Sequence, residues 1–188
     1  MNKLAFLIPV VLSLGAFAAS RPAGPLAKDQ DETRAQGRID VKSPDIKAGA
    51  KIPAKHSAYA NGVSPQLSWS QVPNAKSYAL IVEDPDAPVA RPFVHWVAWN
   101  IPASTTRLPE GSVAQDAVEG QNGSGSKGYF GPRPPAGDPD HHYHFQVFAL
   151  DTTMSLAPGA DRDKVVEAMK GHVLAKGELV GTYSQPRG

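Results

Sequence analysis

Three segments of this chain carry the apolar, β-branched and aromatic residues of buried strands. Ser77-Tyr-Ala-Leu-Ile-Val-Glu83 stops at an Asp-Pro turn. Val94-His-Trp-Val-Ala-Trp-Asn-Ile101 is closed by Pro102, and Tyr143-His-Phe-Gln-Val-Phe-Ala-Leu150 is the third. Side chains alternate along a strand, so His95, Val97, Trp99 and Ile101 are predicted on one face. With extension beginning by His141, the residues His141, Tyr143, Phe145 and Val147 also share a face, and His142 and His144 point the other way. Residues 39–41 and 66–69 are weaker strand candidates. Near the C-terminus the period changes: Asp161 can cap a helix in which Val165, Val166, Met169 and Val173 recur at helical spacing. Gly177 is predicted to end that helix, with 178–183 as a final strand. The stretch from Pro102 to Tyr129 has little periodicity and reads as a loop suited to lining a site.

Composition narrows the class. A chain of 188 residues suggests one domain, and 41% hydrophobic residues suffice for a core. The 17 glycines and 18 prolines argue for many turns between short strands rather than a helical protein. Lys3, the apolar run Leu4 to Leu14 and Ala16-Phe17-Ala18 form a secretory-signal pattern over residues 1–18, too short for a comfortable span. The expected mature chain is periplasmic or secreted, cleaved near Ala18. Residues 19–38 are polar and read as a flexible lead-in to a folded body, residues 39–188. Cysteine is absent, which excludes catalytic thiols and cysteine–zinc sites. The formal charge of +1 falls to 0 when Lys3 leaves with the signal, which provides no electrostatic footprint for nucleic acid or an anionic membrane surface.

Candidate chemistry sits in two segments. Asp84-Pro85-Asp86-Ala87-Pro88 is followed by His95, and Gly131-Pro132-Arg133-Pro134-Pro135-Ala136-Gly137 is followed by His141 and Tyr143. Each joins a stiff turn to polar groups able to grip an anion. His95 and His141 can each donate through a ring nitrogen, Tyr143 through its hydroxyl and Gly131 through its N–H. Asp84 can orient a histidine or receive the ammonium of an ethanolamine-like group, and Asp86 can do the same or brace the turn. A few such hydrogen bonds, each worth about 0.5–1.5 kcal/mol net, predict micromolar or weaker binding. Taken singly, each segment also reads as a plain turn, a core histidine or a rigid loop.

Two other chemistries compete. Asp84, His95 and His141 could serve as an acid–base set for a hydrolase or lyase, but no Gly-x-Ser-x-Gly elbow or cysteine supplies a nucleophile. The expectation is a binding protein with no catalytic residues. His142 and His144, within Asp138-Pro-Asp-His-His-Tyr-His144, could chelate a divalent ion. A polar loop running into a strand with a solvated, histidine-bearing outer face is the favoured reading, and no metal is expected. His172 is assigned to the surface, His56 to a polar loop without a role, and Trp69, Trp96 and Trp99 to the core.

Taken together, Asn61-Gly-Val-Ser-Pro-Gln-Leu-Ser-Trp69, Asp84-Pro-Asp-Ala-Pro88, His95-Trp96, Asn100-Ile-Pro102, Gly128-Tyr-Phe-Gly-Pro-Arg-Pro-Pro135 and Leu179-Val-Gly-Thr-Tyr183 form an ordered set. The chain resembles the phosphatidylethanolamine-binding protein family, and more narrowly its bacterial branch labelled Raf-kinase-inhibitor-like, over about residues 39 to 184. The resemblance implies an antiparallel Greek-key β-sandwich with a few peripheral helices. It implies a pocket for a phosphate- or phosphoethanolamine-like ligand built from Asp84, Asp86, His95, Gly131, Pro132, His141 and Tyr143, with no cofactor. An export signal removes a cytosolic kinase from reach, so any protein partner is expected to be exported too. The chain departs from the family at His142, usually arginine, at the added acidic stretch Asp138 to Asp140, and at Arg133, often cysteine in bacterial members.

Overall fold

The computed structural model describes residues 24–185 and Arg187; the predicted signal segment lies outside the described residues. The three apolar segments become β4 (Ser77–Asp84), β5 (Phe93–Pro102) and β8 (His141–Leu150). Around them lie β1 (Gly37–Arg38), β2 (Val41–Lys42), β3 (Leu67–Trp69), β6 (Arg107–Leu108), β7 (Val118–Glu119), β9 (Val173–Tyr183) and the helix α1 (Arg162–Met169). A six-stranded sheet runs β1-β9-β8-β4-β5-β7, and a three-stranded sheet runs β2-β3-β6. All pairings are antiparallel except β1 with β9, so the larger sheet is mixed.

Every residue of β4 is buried, because the large sheet is covered on both faces. Between the sheets lie Leu67, Trp69, Tyr78, Leu80, Val82, Trp96, Phe145 and Val147. On the other face Ala79, Ile81, Val97, Trp99 and Phe148 pack against Val165, Val166 and Met169 of α1. All three tryptophans are core residues, as expected.

Two bulges in β5 break the expected alternation. Val82 pairs with Trp96 but Glu83 pairs with Val94, so His95 is the extra residue. Val97 and Trp99 therefore face the helix, whereas His95 is turned to the opposite side against Tyr143. The second shift lies near Asn100, whose φ is 55° and whose side-chain amide donates to the Met154 carbonyl at 2.9 Å and accepts from its N–H at 2.8 Å. It returns Ile101 to the inter-sheet core. On β8 the alternation holds: Tyr143, Phe145 and Val147 share the inter-sheet face.

Residues 24–38 are not a loose lead-in. They form two 3₁₀ turns, Ala27–Asp29 and Asp31–Thr33, with Ala27 and Thr33 buried. The Ala27 N–H donates to Glu83 at 2.7 Å and the Lys28 N–H to the Gln146 side-chain oxygen at 2.8 Å. Docking by backbone hydrogen bonds leaves little apolar signature in the sequence.

The helix boundary also moves. Asp161 caps α1, accepting the Lys164 N–H at 2.9 Å. The helix ends at Met169 with Lys170 as its C-cap, followed by Gly171 at φ 78°, the left-handed position that closes many helices. Val173 is thus a strand residue and Gly177 lies in the middle of β9, where Ile39 passes so closely that a Cβ on Gly177 would sit 1.9 Å from the Ile39 carbonyl oxygen. Gly177→Ala is expected to destabilise the protein by about 1–3 kcal/mol, the usual range for overpacking. Urea unfolding followed by circular dichroism checks this, and an unchanged midpoint contradicts the packing described.

Candidate functional site

The Asp84-Pro85-Asp86 turn closes on itself: the Asp86 N–H donates to Asp84 Oδ1 at 2.8 Å. This fixes the Asp84 carboxylate at the buried end of β4, where Oδ2 accepts from His141 Nδ1 at 2.8 Å. Both residues are almost wholly buried. Asp86 faces outward and uses Oδ2 to accept both the His142 N–H and His142 Nδ1, each at 2.8 Å. Burial opposes its charge, but the His142 hydrogen bonds prevail and hold its carboxyl below the usual range.

The second turn clamps His95. The Phe130 N–H donates to the His95 carbonyl at 2.8 Å, and His95 Nδ1 donates back to the Phe130 carbonyl at 2.6 Å. Phe93, Phe130 and Tyr143 surround the imidazole, with the Tyr143 ring edge-on at 5.0 Å. Burial pulls the His95 pKa down to about 4, against the opposing pull of the Phe130 carbonyl and the Asp84 charge, so the ring is neutral at pH 7. The Tyr143 hydroxyl is buried without a hydrogen-bond partner among the described residues. Burial first, and the Asp84 charge second, raise its pKa well above the usual tyrosine range.

Asp84, His95 and His141 meet at a cleft of about 350 Å³. Ala87, Val89, Phe93, Phe130 and Pro134 form apolar walls, and the exposed Arg133 stands at the rim. A larger concavity of about 820 Å³ lies between residues 24–32 and α1, lined by none of the sequence-predicted site residues. Its buried Glu83 carboxylate is satisfied by Arg162 at 2.8 Å.

Three of the seven candidate residues thus line the cleft. Tyr143 packs behind His95, and Asp86 braces the start of β8 from outside. Gly131 and Pro132 are not among the residues lining the cleft and pack onto the turn behind the loop, although the Gly131 backbone also acts on the His95 ring. A Cβ on Gly131 would lie 2.4 Å from the His56 carbonyl oxygen, and the Pro132 carbonyl accepts the Ala58 N–H at 3.0 Å. Ser124 belongs to the 102–129 stretch read as a site-lining loop; Val89, Phe93 and Phe130, which sequence reading did not assign to the site, carried only an apolar residue beside a turn as signal. His142 and His144 pair with different carboxylates, Asp86 and Glu178, and form no joint chelate.

The partners of the imidazoles decide what the cleft can do. Each Nδ1 proton is committed, to Phe130 or to Asp84, so Nε2 is the ring atom left for a ligand. In the neutral His95 ring that atom accepts a hydrogen bond, contrary to the expected donation, whereas His141 Nε2 stands 3.7 Å from Asp138 Oδ2. Asp84 is spent on orienting His141 and bracing the turn, which leaves an ammonium without a natural seat there.

The comparisons with known proteins agree with this architecture. The family model described as phosphatidylethanolamine-binding protein matches residues 42–184. A UPF0098 protein of Pyrococcus abyssi is 47% identical over 142 residues, covering 71% of this chain and 79% of that protein. One from Methanothermobacter thermautotrophicus is 43% identical over 151 residues, covering 77% of this chain and 98% of that protein. Two crystal structures superpose with a TM-score of 0.74, each covering 79% of this chain and 99% of the other. They are a phosphatidylethanolamine-binding protein homologue from Chlamydia trachomatis, at 38% identity, and Escherichia coli YbcL, at 33%. With residues 42–184 matched by the family model and relatives at 43–47% identity, the chain belongs to the phosphatidylethanolamine-binding protein family.

Proposed function

We infer that the chain is an exported binding protein whose cleft holds a small organic phosphate and whose rim serves a protein partner. The observation that carries this reading is the placement of two oriented imidazoles, His95 and His141, at the base of one apolar-walled cleft with Arg133 at its mouth. Arg133 supplies the positive charge for phosphate oxygens. The His95 Nε2 lone pair suits the P–OH of a phosphomonoester monoanion. The apolar walls suit an organic substituent rather than a bare ion. Binding fits better than catalysis, since the cleft hydroxyl of Ser124 donates to Asn122 Oδ1 at 2.6 Å and not to a general base.

Phosphoethanolamine and inorganic phosphate, titrated calorimetrically, test the cleft. His95→Ala, His141→Ala and Arg133→Ala are each expected to weaken phosphoethanolamine binding by about tenfold, the equivalent of one charge-assisted hydrogen bond. His142→Ala, whose ring lies outside the cleft, is expected to leave it unchanged. Equal affinities in all four folded variants contradict the assignment.

Affinity is also expected to rise as the pH falls from 8 to 5. His95 is neutral throughout most of this range, and a phosphomonoester loses its second proton near pH 6. Above that value the complex holds a proton that the separated partners do not, so acidification favours it. A flat profile rules out the shared proton.

The N-terminal pattern supports export. Mass spectrometry of the mature product is expected to show Ala19 or a close neighbour as its first residue; an intact Met1 overturns the localisation.

A further inference from the structure

His56, placed by sequence in a polar loop without a role, is completely buried. It ends the 3₁₀ turn Ala54–His56 and is held from two sides. Its Nδ1 donates to the Val63 carbonyl at 2.7 Å, and its own carbonyl accepts the Tyr129 hydroxyl at 3.0 Å. The remaining ring atom, Nε2, has no hydrogen-bond partner among the described residues. It faces Asp45 Oδ2 at 3.6 Å, too far for a hydrogen bond. Glu110 closes the third side, so that one ligand atom from each of Asp45, His56 and Glu110 lies within 4.8 Å of the others.

We propose that Asp45, His56 and Glu110 form a binding site for a divalent transition-metal ion, separate from the cleft. A buried imidazole whose Nδ1–H is fixed on a backbone carbonyl presents Nε2 as metal-ligating histidines do. One nitrogen and two carboxylates form a mixed donor set suited to zinc and its neighbours rather than to calcium or magnesium. Metal–ligand distances of about 2.0–2.2 Å require the carboxylates to draw in. Asp45 is partly exposed and Glu110 is exposed, so both can rotate while His56 stays fixed. Solvent completes the coordination on the open side.

The site has a built-in competitor. The Lys55 ammonium pairs with Glu110 and lies 3.5 Å from Asp45, supplying in the empty state the charge that a dication would supply. Metal binding displaces it, and removing Lys55 favours the metal.

Zinc titration of the tag-free, chelator-treated mature protein, with cobalt absorption as a second readout, tests the proposal. One equivalent of metal per chain is expected. Glu110→Gln should weaken binding by about tenfold or more, His56→Ala should abolish it, and Lys55→Ala should strengthen it several-fold. His142→Ala combined with His144→Ala should leave it unchanged. Glu110 and Lys55 are surface residues, so their variants decide the matter even where His56→Ala fails to fold. Absence of stoichiometric binding, indifference to Glu110→Gln and Lys55→Ala, or loss in the His142/His144 variant each overturns the proposal.

Discussion

The end of β4 places two consecutive carboxylates in the interior, and much of the molecule is arranged to satisfy them. Alternation sends Glu83 toward the helix side and Asp84 toward the cleft. Glu83 accepts from the Ala27 N–H, the Gln146 amide and the Arg162 guanidinium. Those three donors belong to the N-terminal segment, β8 and α1, so one buried charge ties three elements to the sheet. Asp84 accepts from the Asp86 N–H and His141 Nδ1, which joins the turn after β4 to the start of β8. A buried charge lacking such partners costs several kcal/mol, so neither set of donors can be lost cheaply.

The cleft depends on a second device, the extra residue in β5. Without the bulge His95 would face α1 beside Val97 and Trp99, and no imidazole would reach the cleft. The bulge alone would leave the ring free to turn. The reciprocal pair of hydrogen bonds with Phe130 fixes both its direction and its tautomer, and close packing holds the ring neutral. A neutral, oriented ring on an apolar floor discriminates by protonation and shape more than by charge.

Much of this was legible in the sequence. The strands β4, β5 and β8, the Asp161 cap and the cleft residues Asp84, His95 and His141 followed from apolar runs, turn residues and the family's ordered motifs. What escaped had no periodic signal. A bulge is invisible to an alternation rule, so the face of His95 was misread. The segment 24–38 docks through main-chain hydrogen bonds, which composition does not record. Gly177 looked like a helix terminator because glycine serves there often, whereas the fold needs it for the close passage of Ile39. Gly131 and Pro132 were placed in the pocket wall by motif; both pack backward onto residues 56–58, while the Gly131 backbone also acts on His95.

That backward contact shows how the fold uses a residue with no motif of its own. The loop that clamps His95 is supported from behind by the 3₁₀ turn bearing His56. The support is main-chain to main-chain, since the Pro132 carbonyl accepts from Ala58 and Gly131 lacks the Cβ that would collide with the His56 carbonyl. Tyr129, next to the clamping Phe130, also donates its hydroxyl to that carbonyl. Burying His56 therefore serves the cleft whatever Nε2 does: its Nδ1 ties the turn to the Val63 carbonyl while its backbone stiffens the loop. A rigid loop loses little entropy when a ligand arrives. The cleft is thus made ready by packing that begins behind its loop, at a histidine whose sequence neighbourhood is polar.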